Sequence, residues 1–274
     1  MGIKLIAVDM DGTFLNDHMD FDRERFAKQY QQLKERGVHF VVASGNQYYQ
    51  LKSFFGEFQD EISYIAENGA FVVDRGTEVF SVEIPKKDVN LIIEEISRYP
   101  QLSFVLCGKE RAYILENESD EFYRMVNLYY HRLNRVQDFE GTNDKILKFA
   151  LSCPMDQTDY LIGLLKRKIG HLVTPISSGH GSIDLIVPGF HKASGLQLLQ
   201  DRWGIKKEET MAFGDGGNDL EMLKSVQYGF AMENASDEVK MMTKYRAPSN
   251  NNYGVLEIID QYFSRLGPFK EIID

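Results

Sequence analysis

Cysteine is nearly absent: the 274-residue chain has two, Cys107 and Cys153. Both stand in apolar stretches (LSFVLCGK and KFALSCPM) with no CxxC spacing and no accompanying histidine pattern. They read as buried free thiols of a reducing compartment rather than a disulfide. Long hydrophobic runs are missing too, and no apolar stretch approaches the ~18 residues of a membrane span. The opening run, Ile3 to Val8, is too brief for a signal h-region and meets an acid at Asp9. MGIKLI has Ile6 where a myristoylation site needs Ser or Thr. A cytoplasmic protein with no membrane partner is expected. Positive charge is in short supply, with 31 Lys plus Arg against 41 Asp plus Glu and a net charge of -10. That balance disfavours nucleic acid and anionic lipid as partners. An anionic small molecule would need a local counter-charge, such as a metal ion or a placed lysine. Internal repeats and low-complexity tracts are also lacking.

What is present is ordinary globular composition, 43% hydrophobic and 26% charged, in a length that allows one large domain or two unequal ones. Ile3 to Val8 is a continuous apolar run, the signature of a strand buried on both faces. Asp22 to Arg36 carries Phe26, Tyr30 and Leu33 at helical spacing and stops at Gly37. A second buried run, Val38 to Ala43, follows at once. This βαβ unit predicts a parallel sheet with a right-handed crossover. The spacing then predicts a helix over Gln47 to Phe55, a strand over Ile62 to Ala66, and a hairpin of Phe71 to Val73 with Glu78 to Ile84. From Pro85 onward the pattern becomes mixed: a helix to Tyr99, strands at 103–107 and 111–115, a helix from Ser119, a strand at 145–151, a helix at 156–169, and strands at 172–175 and 182–187. The alternating pattern resumes with a helix from Lys192, strands at 210–213 and 228–232, and helices from Asn218, Ser236 and Gly254. The fold class expected is α/β, a Rossmann-like parallel-sheet core holding an inserted α+β module, with the core at residues 1–83 and 188–274 and the insertion at 84–187.

Four patterns carry chemistry. Asp9-Met10-Asp11-Gly12-Thr13 lies where the first buried strand ends. Residues i and i+2 leaving a strand point the same way, so Asp9 and Asp11 face one site while Met10 turns aside. The carboxyl end of a parallel strand is where open α/β sheets bind ligands. A solvated Asp-rich turn would read the same way. Gly214-Asp215-Gly216-Gly217-Asn218-Asp219 again follows a buried run. Its acids suit a hard, oxygen-coordinated cation such as Mg²⁺, although Asn218 or Asp219 could equally cap the next helix. Ser44-Gly45-Asn46 places a hydroxyl and free N–H groups before a helix, which is an anion site or a plain N-cap. Lys192 opens a helix, where its charge opposes the dipole unless a bound anion compensates or the side chain is simply solvated.

In this order the four patterns resemble the haloacid dehalogenase superfamily of phosphotransferases across essentially the whole chain. The motifs are DMDGT, VVASGN, FHKASG and GDGGND. Glu67-Asn68-Gly69-Ala70 and Ala231-Met232-Glu233-Asn234-Ala235 look further like its Cof-type branch of sugar-phosphate phosphatases, whose α+β cap (type IIB) is inserted between the second and third motifs. The resemblance implies Asp9 as nucleophile and Asp11 as general acid and base. It implies metal ligation of Mg²⁺ by Asp9, the Asp11 main-chain carbonyl, Asp215 and Asp219, the last directly or through water. Phosphate would be held by the Met10 and Gly45 amides, Ser44, Lys192 and Asn218. The substrate would be a small phosphate ester, the protein a monomer or weak dimer. Two positions depart from the pattern: Asn46 stands where Arg is usual, and Ala193 where Gly is usual. The first removes a cation from the mouth of the site. A phosphomutase, which would return the phosphoryl group to sugar, and a non-catalytic binding protein share these features. The leaving group would be chosen by the cap, whose surface is expected to carry Asp184, His180, Tyr129 and Tyr130.

Overall fold

The apolar runs LIAV, HFVVA, SYIA and TMAFG can bury both faces only inside a covered sheet, and they do so in the computed structural model, which describes residues 2–179 and 181–271. The chain runs β1 (Leu5–Val8), α1 (Arg23–Glu35), β2 (His39–Ala43), α2 (Tyr48–Ser53), β3 (Ser63–Ala66), β4 (Phe71–Asp74), β5 (Thr77–Ser81), α3 (Lys86–Ile96), β6 (Ser103–Gly108), β7 (Ala112–Leu115), α4 (Asp120–Asn127) and β8 (Leu133–Val136). It continues through β9 (Ile146–Ser152), α5 (Thr158–Ile169), β10 (Thr174–Gly179), β11 (Ser182–Ile186), α6 (Lys192–Trp203), β12 (Thr210–Gly214), α7 (Leu220–Ser225), β13 (Tyr228–Met232), α8 (Asp237–Met242), β14 (Tyr245–Ala247) and α9 (Gly254–Phe263). His180 lies outside the described residues.

Among the described residues, eight strands form one sheet in the order β14-β13-β12-β1-β2-β3-β4-β5. The pairings from β14 across to β3 are parallel, and β4 and β5 join antiparallel. The chain leaves β1 toward β2 and β3 on one side, and returns through β12 toward β13 and β14 on the other. Connections therefore diverge between β1 and β12, and such a switch point opens a crevice at the strands' carboxyl ends. Asp9 follows β1 directly and Asp215 follows β12 directly. The β4–β5 turn is Arg75-Gly76 with φ of 47° and 78°, the left-handed pair that matches the twist of a two-residue hairpin.

A second sheet has the order β10-β11-β9-β6-β7-β8, antiparallel except for the β7–β8 pair. Its strands come only from the interval between the two halves of the first sheet. Helices α3 and α5 cover one face through Val89, Ile92, Ile96, Leu161 and Leu165. Helix α4 covers the other through Phe122 and Val126, with Cys107 and Tyr130 in the same cluster. Strands β8 and β14 were not expected from the sequence. Each is a short outermost strand, LNRV and YRA, without a continuous apolar run. Among the described residues no helix is long and apolar enough to cross a membrane, and Cys107 and Cys153 are free thiols.

Candidate active site

The loop after β1 is fixed from below and above. Phe14 packs against Phe21, Phe26, Phe40 and Phe55 at centroid distances of 4.7, 5.3, 5.7 and 5.9 Å, which anchors the turn in the core. The Met10 carbonyl accepts from Thr13 N and Leu15 N, while the Met10 side chain is fully buried in the main hydrophobic core. Asn234 Nδ2 donates to the Gly12 carbonyl at 2.7 Å. Gly12 sits at φ 72°, and a Cβ there would lie 2.5 Å from Asp215 Oδ2. The glycine thus serves both the turn and the close approach of a second acid. Thr13 Oγ1 donates to Asp215 Oδ1 at 2.7 Å and aims that carboxylate.

Lys192 is the first residue of α6, behind an N-cap in which His191 and Ser194 exchange hydrogen bonds. It is not solvated but 1% exposed, and its Nζ donates to Asp9 Oδ1 at 2.6 Å and to Asp219 Oδ1 at 2.7 Å. Asp219 Oδ2 accepts from the main-chain N–H groups of Asp215 and Gly216, both at 3.0 Å. This bonding closes the GDGGND loop around Asp219, so the acid caps its loop as well as facing Lys192.

Burial, and then the neighbouring charge of Asp219, push the Asp9 carboxyl well above its ordinary value, with Lys192 opposing. Asp215 is pushed up to about 6 for the same two reasons, opposed by the hydrogen bond from Thr13. Burial works against the Lys192 ammonium, but Asp219 and Asp9 hold its proton more firmly than usual. The site therefore carries more acid than one lysine balances. Carboxylate oxygens of Asp9, Asp215 and Asp219 lie within 4.8 Å of one another. An all-oxygen, largely buried set with excess negative charge fits a hard divalent cation.

Around this centre, Asn46 Nδ2 donates to Asp11 Oδ2 at 2.6 Å and Asn46 N donates to Ser44 Oγ at 3.1 Å. The residue that departs from the usual arginine is thus a direct neighbour of the second motif acid. The Ser44 carbonyl accepts from Asn68 N, and Asn218 Nδ2 donates to Asn68 Oδ1 at 3.1 Å. Printed contacts aside, hydrogen bonds and close approach join Asp9, Thr13, Lys192, Asp215 and Asp219 in one group, Asp11, Asn46 and Ser44 in a second, and Asn68 with Asn218 in a third, with Gly45 beside Asn68.

Asp184 and Tyr130 are not on the surface of the second sheet's module. Asp184 is 2% exposed, bound by Lys148 Nζ at 2.8 Å, Ser178 Oγ at 2.6 Å and Asn68 Nδ2 at 2.6 Å. Tyr130 is buried beside Cys107, and only Tyr129 is partly exposed. The sequence named Thr13, Asn68 and Asn234 only as members of motifs, without a role, and did not single out Lys148. For the first three, motif membership was the signal in the sequence; the structure adds that Glu67, Asn68 and Gly69 take positive φ in succession (50°, 54° and 96°), a strained turn of the kind found at functional sites.

The family model of haloacid dehalogenase-like hydrolases matches residues 6–259. The chain is 47% identical over 271 residues to the 5-amino-6-(5-phospho-D-ribitylamino)uracil phosphatase YbjI of Escherichia coli K12, covering 99% of this chain and 100% of that one. It is 26% identical to the phosphatase of the same description, YitU, from Bacillus subtilis 168, covering 95% and 97%. Among solved structures, SMU.1108c from Streptococcus mutans UA159 superposes with a TM-score of 0.92 at 36% identity, covering 96% of this chain and 100% of that one. With the motif acids gathered at the switch point of a parallel sheet, the chain belongs to the haloacid dehalogenase-like hydrolases, as an enzyme of their Cof-type phosphatase branch.

Proposed function

We propose that the protein hydrolyses small phosphate monoesters of the sugar-phosphate kind, with Mg²⁺, through an aspartyl-phosphate formed on Asp9. The observation that carries this reading is the buried Lys192 ammonium shared by Asp9 and Asp219, with Asp215 beside them. Asp9, Asp215 and the Asp11 carbonyl would hold the cation. Asp219, whose two oxygens already accept three hydrogen bonds, would hold it through water. The ion would supply the positive charge that lets an anionic nucleophile approach a phosphate dianion.

Asp9 attacks phosphorus in line and the ester oxygen departs. Asp11, held by Asn46, gives that oxygen a proton and then takes one from the water that hydrolyses the acyl phosphate. Lys192, Ser44, Asn218 and the Met10 and Gly45 amides grip the non-bridging oxygens. Residues 84–187 act as a cap over the core formed by 1–83 and 188–274, and select the leaving group. The compound named for both phosphatase relatives bears its phosphate on a ribityl chain, so it heads the esters to test. The test is phosphate release across sugar phosphates, that ribitylamino-uracil phosphate, nucleotides, flavin mononucleotide and pyridoxal phosphate. Release from a polyol or sugar phosphate that stops in chelator supports the reading. No release from any ester, with Mg²⁺ present, overturns it.

A further inference from the structure

A chain of hydrogen bonds crosses from the second sheet into the phosphate site. Asp184 on β11 is ion-paired with Lys148 on β9 and accepts a hydrogen bond from Asn68 at 2.6 Å. Asn68 accepts from Asn218 at 3.1 Å. Asp184, Lys148 and Asn68 are each at most 2% exposed, so water does not compete for the two bonds to Asp184. A carboxylate facing an ammonium accepts and does not donate. Asn68 must therefore turn its NH₂ toward Asp184 and its oxygen toward Asn218. Asn218 in turn must present its NH₂ to Asn68, which leaves one N–H free on the same nitrogen. A Cβ on Gly216 would lie 2.8 Å from Asn218 Oδ1, so the opposite edge of that amide packs against the GDGGND backbone. The orientation of both amides is thus set by a carboxylate 116 residues from Asn68 in sequence.

Gly45 supports the same conclusion. A Cβ there would lie 3.0 Å from Asn68 Nδ2 and 3.1 Å from Asp184 Oδ2. The glycine of the second motif leaves room for the Asp184–Asn68 bond to reach the site. At the same junction, burial pushes Glu67 up to about 7 even with Lys148 3.6 Å away, so Lys148 is spent mainly on Asp184.

We propose that Asp184 is a positioning residue for the phosphate grip: through Asn68 it fixes Asn218 with an N–H toward the phosphate, and only when the two sheets are together. This rests on the phosphatase reading and adds to it a dependence of phosphate affinity on the cap. Asn68→Gly breaks the relay at its centre, tolerates the φ of 54° at that position, and leaves the Lys148–Asp184 pair whole. Asp184→Asn removes the carboxylate that orders the amides.

The test is a double-mutant cycle in the full chain with Mg²⁺. It reads the inhibition constant of inorganic phosphate, kcat and KM for para-nitrophenyl phosphate, and Tm. Each single variant should weaken phosphate binding by roughly tenfold or more, the worth of one hydrogen bond to a charged group. The double variant should be no weaker than the worse single, because both cut one relay. The proposal is overturned if both singles stay within about twofold of wild type, or if their losses multiply in the double variant. Should Asp184→Asn fail to fold once Lys148 loses its nearer carboxylate, Asn68→Gly decides alone by the same twofold limit. If the wild type cleaves no ester, the phosphatase reading fails; calorimetric binding of inorganic phosphate to wild type and Asn68→Gly still decides the relay.

Discussion

The Lys192 ammonium lies 2.6 Å from the Asp9 carboxylate, although 183 residues separate the two in sequence. The same nitrogen reaches Asp219 at 2.7 Å. One buried cation thus joins the ends of β1, β12 and α6, the three elements that converge at the sheet's switch point. The contact is structural and chemical at once, because the two buried acids Asp9 and Asp219, with half-buried Asp215 beside them, would repel one another without it.

Replacement of Lys192 by Ala should abolish turnover and, in chelator, destabilise the fold by about 3 to 5 kcal/mol, the usual consequence of orphaning a buried charge. Mg²⁺ should recover part of the stability and none of the activity, because the cation neutralises the acids but cannot replace the grip on phosphate. Thermal denaturation with and without Mg²⁺, paired with a phosphate-release assay, reads both. Ordinary turnover by the variant would remove Lys192 from the mechanism.

Asp9→Asn, in a sample checked for deamidation, should be inactive with Tm near wild type, since the amide can still accept from Lys192. Asp11→Asn should lose ~10² to 10⁴ in turnover of esters with poor leaving groups. An activated aryl phosphate needs no proton on its leaving group and should suffer less in forming the intermediate. Rapid-quench measurement of that step separates the two; equal losses for both esters would take the acid role from Asp11.

The raised Asp215 carboxyl makes metal binding depend on pH. Its value of about 6 in the folded chain stands above the ordinary 3.8, so in chelator the folded state holds a proton that the unfolded state has already released. This group therefore favours folding below about 4 and loses that contribution as pH rises toward about 6. Mg²⁺ must displace the proton, so its affinity should rise as pH passes through about 6, with proton release measurable by calorimetry in buffers of different ionisation enthalpy. An affinity that stays flat across this range would contradict the arrangement of acids proposed for the metal.

Two glycines separate backbone strain from site geometry. Gly12 and Gly37 both take positive φ, 72° and 68°, but a Cβ at Gly12 would lie 2.5 Å from Asp215 Oδ2 while at Gly37 it would meet nothing within 4 Å. Gly37→Ala should cost about 1 to 2 kcal/mol of stability and leave turnover intact. Gly12→Ala should add to that a clear loss of Mg²⁺ affinity and activity. Equal catalytic behaviour of the two variants would show that the approach of Asp215 to the turn is unimportant.

Much of the site was legible in the sequence because its logic is local. Buried apolar runs ending in DMDGT and GDGGND mark strand ends, alternation along a strand puts Asp9 and Asp11 on one side, and the βαβ rhythm makes the sheet parallel. Those facts pointed to the fold class and to the acids as candidates, and the resemblance of the four motifs to the haloacid dehalogenase superfamily assigned the acids their roles. They could not reveal β8 and β14, whose LNRV and YRA segments carry too little apolar signal to declare themselves and become strands by pairing at the edge of a sheet already formed. Nor could they place Asp184, which reads as a surface acid on an inserted module and is buried between Lys148, Ser178 and Asn68. Asn46 likewise reads as the loss of a cation, and the structure makes it a donor to Asp11. The difference is physical: which residues are apolar, and with what period, is written along the chain. Whether a polar side chain is buried, and which atom then satisfies it, depends on partners tens to hundreds of residues away that only the packed tertiary structure brings within hydrogen-bond distance.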